Sequence, residues 1–153
     1  MYYFNINLSE YSEEVRKGII LETNCQEIIV YAKSSEDYVE RAAVALNPNI
    51  STLELDELSR DPNNCVKRCV LMNKTTSGET IDAMLTDEEE TPDENLIVNH
   101  PNVLRKTLER FVRTHRNKSL KIVANNRLKY MWKFPPVLYN ESGGLFFLNL
   151  LFK

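Results

Sequence analysis

Apolar and polar positions alternate over residues 2–8, with Tyr2, Phe4, Ile6 and Leu8 on one side, and this pattern predicts a strand. Residues 9–17 are polar and acidic up to Gly18 and predict a short helix or turn. The run Gln-Glu-Ile-Ile-Val-Tyr-Ala-Lys at 26–33 has a β-branched centre and predicts a second strand. A helix is expected from Ser34, with Asp37 in the capping-box position and an apolar stripe at Tyr38, Val39, Ala42, Ala43 and Leu46. Asn47-Pro48 should end it. Residues 52–58 fit either a strand or a short helix, 61–64 a turn, 65–73 a third strand and 74–78 a loop.

The C-terminal third begins with a predicted helix in which Pro101 suits the first position. Val103, Leu104, Leu108, Phe111, Val112 and His115 share one arc, while Arg105, Lys106, Arg110, Arg113 and Arg116 share the opposite one. Asn117 is placed to take the left-handed stop. Two strands, 120–124 and 128–134, are expected to follow. A three-residue loop at 125–127 groups Leu120, Ile122, Ala124, Leu128, Tyr130, Trp132 and Phe134 on one face and leaves Lys121, Val123, Lys129, Met131 and Lys133 on the other. A second hairpin is expected from 137–139 and 145–152, the last strand being apolar on both faces and therefore central.

These elements predict a single α+β domain over 1–153, with an antiparallel C-terminal meander packed on two main helices. No internal repeat is evident. The run Thr-Asp-Glu-Glu-Glu-Thr-Pro-Asp-Glu-Asn at 86–95 has no apolar residue to bury and reads as an acidic mobile loop within the domain. At 153 residues the chain can form a core without disulfide or metal.

Charge changes the picture more than composition does. Residues 1–100 carry 8 Lys and Arg against 20 Asp and Glu, and residues 101–153 carry 11 against 2, so that −12 and +9 make up the net charge of −3. Such asymmetry points to a polyanionic partner or a charged tail. The candidate nucleic-acid-binding residues are Arg105, Lys106, Arg110, Arg113, Arg116, Lys118, Lys121, Arg127, Lys129 and Lys133, which can track a phosphate backbone. Aromatic residues alternating with lysines in the predicted strand suggest RNA or single-stranded DNA over duplex, although the alternation turns the rings toward the core. The alternative is a protein–protein interaction or inhibitor module, self-associating or binding through its acidic N-terminal surface.

The remaining chemistry is sparse. Cys65 and Cys69 have a Cys-x3-Cys spacing, but on a strand the four residues span about 13 Å and the two sulfurs cannot share a metal. Cys65 and Cys69 are read instead as buried small apolar residues, and with Cys25 the odd count of three thiols favours a reducing, cytoplasmic setting. His100 and His115 are candidate bases by residue type alone. The sequence holds no Gly-x-Ser-x-Gly, P-loop, Gly-x-Gly-x-x-Gly or His-x-Glu motif, so a non-enzymatic protein without cofactor or metal is expected. No stretch approaches the ~20 apolar residues of a membrane span, and the N-terminus lacks a signal-peptide pattern. Sixteen asparagines and four glycines suit an AT-rich genome, viral or bacterial.

Overall fold

The computed structural model describes residues 8–85 and 93–133. Among these residues there is no strand, so the α+β expectation is overturned and the fold is all-helical. A 3-10 turn at Leu8–Glu10 leads into α1 (Glu13–Glu22), α2 (Gln26–Lys33), α3 (Tyr38–Leu46), α4 (Thr52–Leu58), α5 (Asn64–Met72), α6 (Gly78–Met84) and α7 (Glu94–Asn99). Then come α8 (Arg105–Thr114) and α9 (Lys118–Lys133). The strand expected at 2–8 (apart from Leu8, which enters the 3-10 turn), most of the acidic run and the hairpin expected at 137–152 lie outside the described residues. The end of the acidic run, from Glu94, opens α7.

The predicted strands at 26–33 and 65–73 are helices because their apolar residues satisfy a helical period as well as a strand one. In α2 the buried residues are Ile28, Ile29 and Ala32, with Val30 and Tyr31 exposed. In α5 they are Val66, Val70 and Leu71. Packing against neighbouring helices thus overrides the β-propensity of the Ile-Ile-Val run. The ambiguous 52–58 segment is settled by a capping box: the Ser51 hydroxyl accepts from the Glu54 N–H, and the Glu54 carboxylate accepts from the Ser51 N–H. The expected helix after Ser34 starts later, at Tyr38, with Asp37 itself as the cap, accepting from Val39 N–H at 2.8 Å. Ser34 instead closes α2, its hydroxyl donating to the carbonyls of Val30 and Tyr31. The buried face of α3 is Glu40, Ala43, Val44 and Ala45, leaving Tyr38 and Leu46 exposed.

The chain forms two compact units, Met1–Leu104 and Arg105–Lys153. In the first, α1, α3, α5 and α7 lie side by side, while α2 and α4 pack behind them. Thr80 of α6 donates to Asp56 of α4 at 3.1 Å.

This first unit is built from repeats, contrary to the sequence-based expectation. Asn47, which ends α3, donates from Nδ2 to the carbonyls of Ile20 (2.7 Å) and Thr23 (2.8 Å) and accepts from Asn49 N–H at 2.7 Å. Asn73, which ends α5, donates to the carbonyls of Ala45 (2.8 Å) and Asn47 (3.1 Å) and accepts from Thr75 N–H at 3.0 Å. His100, which ends α7, accepts from Asn102 N–H at Nδ1 (3.1 Å). Its Nε2 therefore carries the proton and donates to the Asn73 carbonyl at 3.0 Å. Each rung grips the main chain of the one before it, at separations of 24, 26 and 27 residues. The turns entering α3 and α5 also match. Ser35 and Asp37 accept from the N–H groups of Asp37 and Val39, as Asp61 and Asn63 do from those of Asn63 and Cys65. Stacked helical repeats of this kind stabilise one another through nearest-neighbour contacts.

Buried charge ties the rungs together. Arg41 donates from Nε and Nη2 to the two Asp61 oxygens at 2.6 and 3.1 Å, and from Nη1 to the carbonyls of Ser35 and Glu36. Arg16 pairs with the buried Glu40 at 2.8 Å.

Candidate nucleic-acid interface

The second unit holds all ten candidate cations. Through Lys133 it carries them against a single acid, Glu109. Its described part is a helical hairpin: α8 packs on α9 through a short connection at 115–117. The helix expected from Pro101 begins only at Arg105. Asn102 is held in the repeat of the first unit, donating from Nδ2 to the carbonyls of Lys74 (2.8 Å) and Thr76 (2.9 Å), so the chain there cannot join α8. Within α8 the expected segregation is present. Leu108 and Phe111 are buried, and Arg105, Lys106 and Arg113 are exposed, with Arg110 half-buried. Arg105 reaches Glu109 one turn on, at 2.7 Å. Arg116 and Lys118, beyond the end of α8, are also exposed.

The predicted hairpin at 120–134 is replaced, over its described residues, by α9. The alternation of Leu120, Ile122 and Ala124 misled because Leu120, Ala124 and Leu128 also recur every four residues. Leu120 and Ala124 are buried, and Lys121, Val123, Arg127, Leu128 and Met131 are half-buried beside them. Asn125-Asn126, expected as a loop, lies in the middle of the helix and is exposed. Asn117, expected to close the preceding helix, serves the following one. It caps α9, its Oδ1 accepting from the N–H groups of Ser119 (3.0 Å) and Leu120 (3.3 Å).

The strand face that joined Lys121, Lys129 and Lys133 therefore does not exist. On the helix, Lys118 and Lys129 share the outer side with Ile122, Asn125 and Asn126, and Lys121 flanks it. Arg127 falls on the inner side, where burial lowers the pKa of its guanidinium. Lys133 is the last residue of α9. Of the aromatic platform, Tyr130 is 65% exposed on α9, and Phe134 lies outside the described residues.

The other candidate chemistry has structural partners. His115 stacks on Phe111 with ring centroids 4.1 Å apart and planes 5° from parallel, and its Nδ1 accepts from Asn117 N–H. His100 is locked in the rungs by both ring nitrogens. Cys25, Cys65 and Cys69 are free thiols. Because α5 is a helix, Cys65 and Cys69 are one turn apart, a rise of about 6 Å, and not the span of a strand. Neither is fully buried. Burial raises the pKa of the Cys69 thiol, and nearby Cys65 adds to the effect. Among the described residues no group of three His, Cys, Asp or Glu side chains is placed to hold a metal ion, and no helix is long and apolar enough to cross a membrane.

Sequence reasoning missed the outward position of Ile122, Asn125 and Asn126. The available signal was the absence of any acid from 118 to 133, together with the helical spacing of Leu120, Ala124 and Leu128. Comparison with known protein families, with curated proteins and with solved structures gives no match.

Proposed function

We propose that the protein binds nucleic acid through the α8–α9 hairpin. The observation that carries this reading is the concentration of ten cations and one acid in the 29 residues from Arg105 to Lys133, with most of the cations on outward-facing positions. A surface of this kind displaces condensed counterions from a phosphate backbone, so affinity falls steeply with salt. Arg105, Lys106, Arg110, Arg113, Arg116, Lys118, Lys121 and Lys129 are the proposed phosphate contacts. Arg127, on the inner side of α9, is not among them. No catalytic step is proposed, and no cofactor is required.

Filter retention of labelled DNA and RNA by the full chain, from low to physiological salt, tests the reading. Salt-sensitive retention at micromolar protein is expected. Removing any one contacting cation should reduce the slope of log affinity against log salt by about one. No salt-sensitive retention of any nucleic acid ends the proposal.

A second reading, a protein-binding scaffold, is favoured by the repeat in the first unit. The positions before the Asn47 and Asn73 rungs, Leu46 and Met72, are both exposed apolar residues in an otherwise acidic unit. Stacked repeats present such equivalent positions as an extended surface. Self-association through the opposite charges of the two units would make the sedimentation coefficient fall as salt is added. A sedimentation coefficient independent of salt argues against that form.

A further inference from the structure

We infer that α9 reads duplex DNA from the major groove, with Asn125 and Asn126 at adenine edges, Ile122 against a thymine methyl group, and Lys118 and Lys129 on flanking phosphates. The inference rests on the nucleic-acid reading above and deepens it, naming the form of the ligand and its sequence preference.

Three observations converge on the outer side of this helix. The first is its electrostatics: α9 contains no Asp or Glu in 16 residues, so nothing on the helix repels a polyanion. The second is the placement of two asparagines. Asn is a poor helix former, because its amide competes with the backbone for hydrogen bonds. Yet Asn125 and Asn126 stand side by side in the middle of the helix, exposed, where core packing does not call for them. A local choice that works against its own element without a packing gain marks a functional position. The third is Ile122, 61% exposed one turn before them on the same side. The exposed row thus runs cation, apolar, amide, amide, cation over the 12 residues from Lys118 to Lys129, about 16 Å along the axis.

This row suits the major groove of B-form DNA. The groove is about 12 Å wide and admits one helix with its side chains. Adenine presents an acceptor and a donor there that match the carboxamide of Asn in two parallel hydrogen bonds. Thymine presents a methyl group that an aliphatic side chain can cover. Duplex RNA has a major groove too narrow for a helix. The strand expected to carry a stacking platform for unpaired bases is helical over its described residues, and Tyr130 alone of its rings is seen exposed among them. Arg105 to Arg116 and Lys121 supply sequence-independent phosphate contacts, which position the protein without reading bases.

The test is fluorescence anisotropy of the full chain with four labelled probes of equal length: an A·T-rich DNA duplex, a G·C-rich DNA duplex, single-stranded DNA and duplex RNA. The A·T-rich duplex should bind roughly ten-fold more tightly than each of the others. The double variant Asn125→Ala/Asn126→Ala should erase the preference between the two duplexes and keep the salt slope. Ala is the better helix former, so unfolding cannot account for the loss, and circular dichroism would confirm the helix content. Lys129→Ala should do the reverse, lowering the salt slope by about one and keeping the preference. Equal affinity for all four probes, or a preference that survives the double Asn variant, overturns the inference and leaves the phosphate reading standing. No binding to any probe overturns both.

Discussion

The side-chain amide of Asn73 donates to the main-chain carbonyl of Asn47 at 3.1 Å, and Asn47 makes the same bond to Thr23 one repeat earlier, at 2.8 Å. Both asparagines are buried and satisfy carbonyls at the ends of helices, which have no intrahelical partner. Replacing Asn73 by Ala removes the side-chain donor to the Ala45 carbonyl and the acceptor of the Thr75 N–H, and leaves the Asn47 carbonyl with only the Ile50 N–H. A loss of about 2–4 kcal/mol is expected, read from the midpoint of urea unfolding. Asn73→Asp should be at least as damaging, since a carboxylate cannot donate. A variant as stable as the parent would remove the rungs from any central role.

Gly18 and Gly78 are expected to respond in opposite directions to the same substitution. A Cβ at Gly78 stands 2.6 Å from the Asn102 carbonyl oxygen and 2.6 Å from Leu104 Cδ2, so Gly78→Ala must displace main chain. At Gly18, inside α1, a Cβ meets nothing within 4 Å. Gly18→Ala should stabilise by about 0.5–1 kcal/mol through helix propensity, while Gly78→Ala should destabilise by more than that. Thermal unfolding of the two variants beside the parent checks the sign of each.

Asp61 and Glu54 make the first unit sensitive to acid. Burial pushes the Asp61 carboxyl up, but the Arg41 guanidinium and the Asn63 N–H outweigh it and hold the pKa below the ordinary value. For Glu54 burial is again opposed and outweighed, here by hydrogen bonds from Ser51 and Gln26. A carboxylate whose folded pKa is depressed stabilises the fold above its unfolded pKa. That contribution is lost as pH falls through the folded value. Stability should therefore fall progressively below about pH 4. The variant Asp61→Asn should be less stable at neutral pH and show a shallower loss on acidification. Urea midpoints at a series of pH values between neutrality and pH 3 test this, and parallel curves for variant and parent would contradict it.

The helices were legible where two apolar faces could not both be satisfied, and illegible where a strand and a helix pattern coincided. In α8 the cations and apolar residues separate only at the helical period, so its two faces were readable from sequence. Ile28-Ile29 and Leu120-Ile122-Ala124 fit both periods, and only neighbouring helices decide between them. The repeat was hidden for a different reason. It is carried by Asn47, Asn73 and His100, polar residues of two types at unequal spacing, and not by a recurring apolar motif. The cations of the candidate interface were all visible as residues. Their arrangement was not, because placing Lys129 on the same side as Lys118 and setting Arg127 apart requires knowing that α9 is one continuous helix.

That separation of Arg127 from its neighbours gives the sharpest check on the interface. If charge alone governs binding, every cation of the hairpin contributes equally to the salt slope, whichever side it occupies. If the outer faces are the interface, the contributions differ by position. Arg127 is half-buried on the inner side of α9, and burial lowers its pKa, whereas Arg113 is exposed on α8. Arg127→Met, which keeps a long flexible side chain against the hairpin interior, should leave the salt slope unchanged. Arg113→Ala should reduce it by about one. The measurement is the salt dependence of DNA binding for the two variants at matched helix content. Equal reductions would mean that the net charge of the unit, and not its outer faces, holds the nucleic acid.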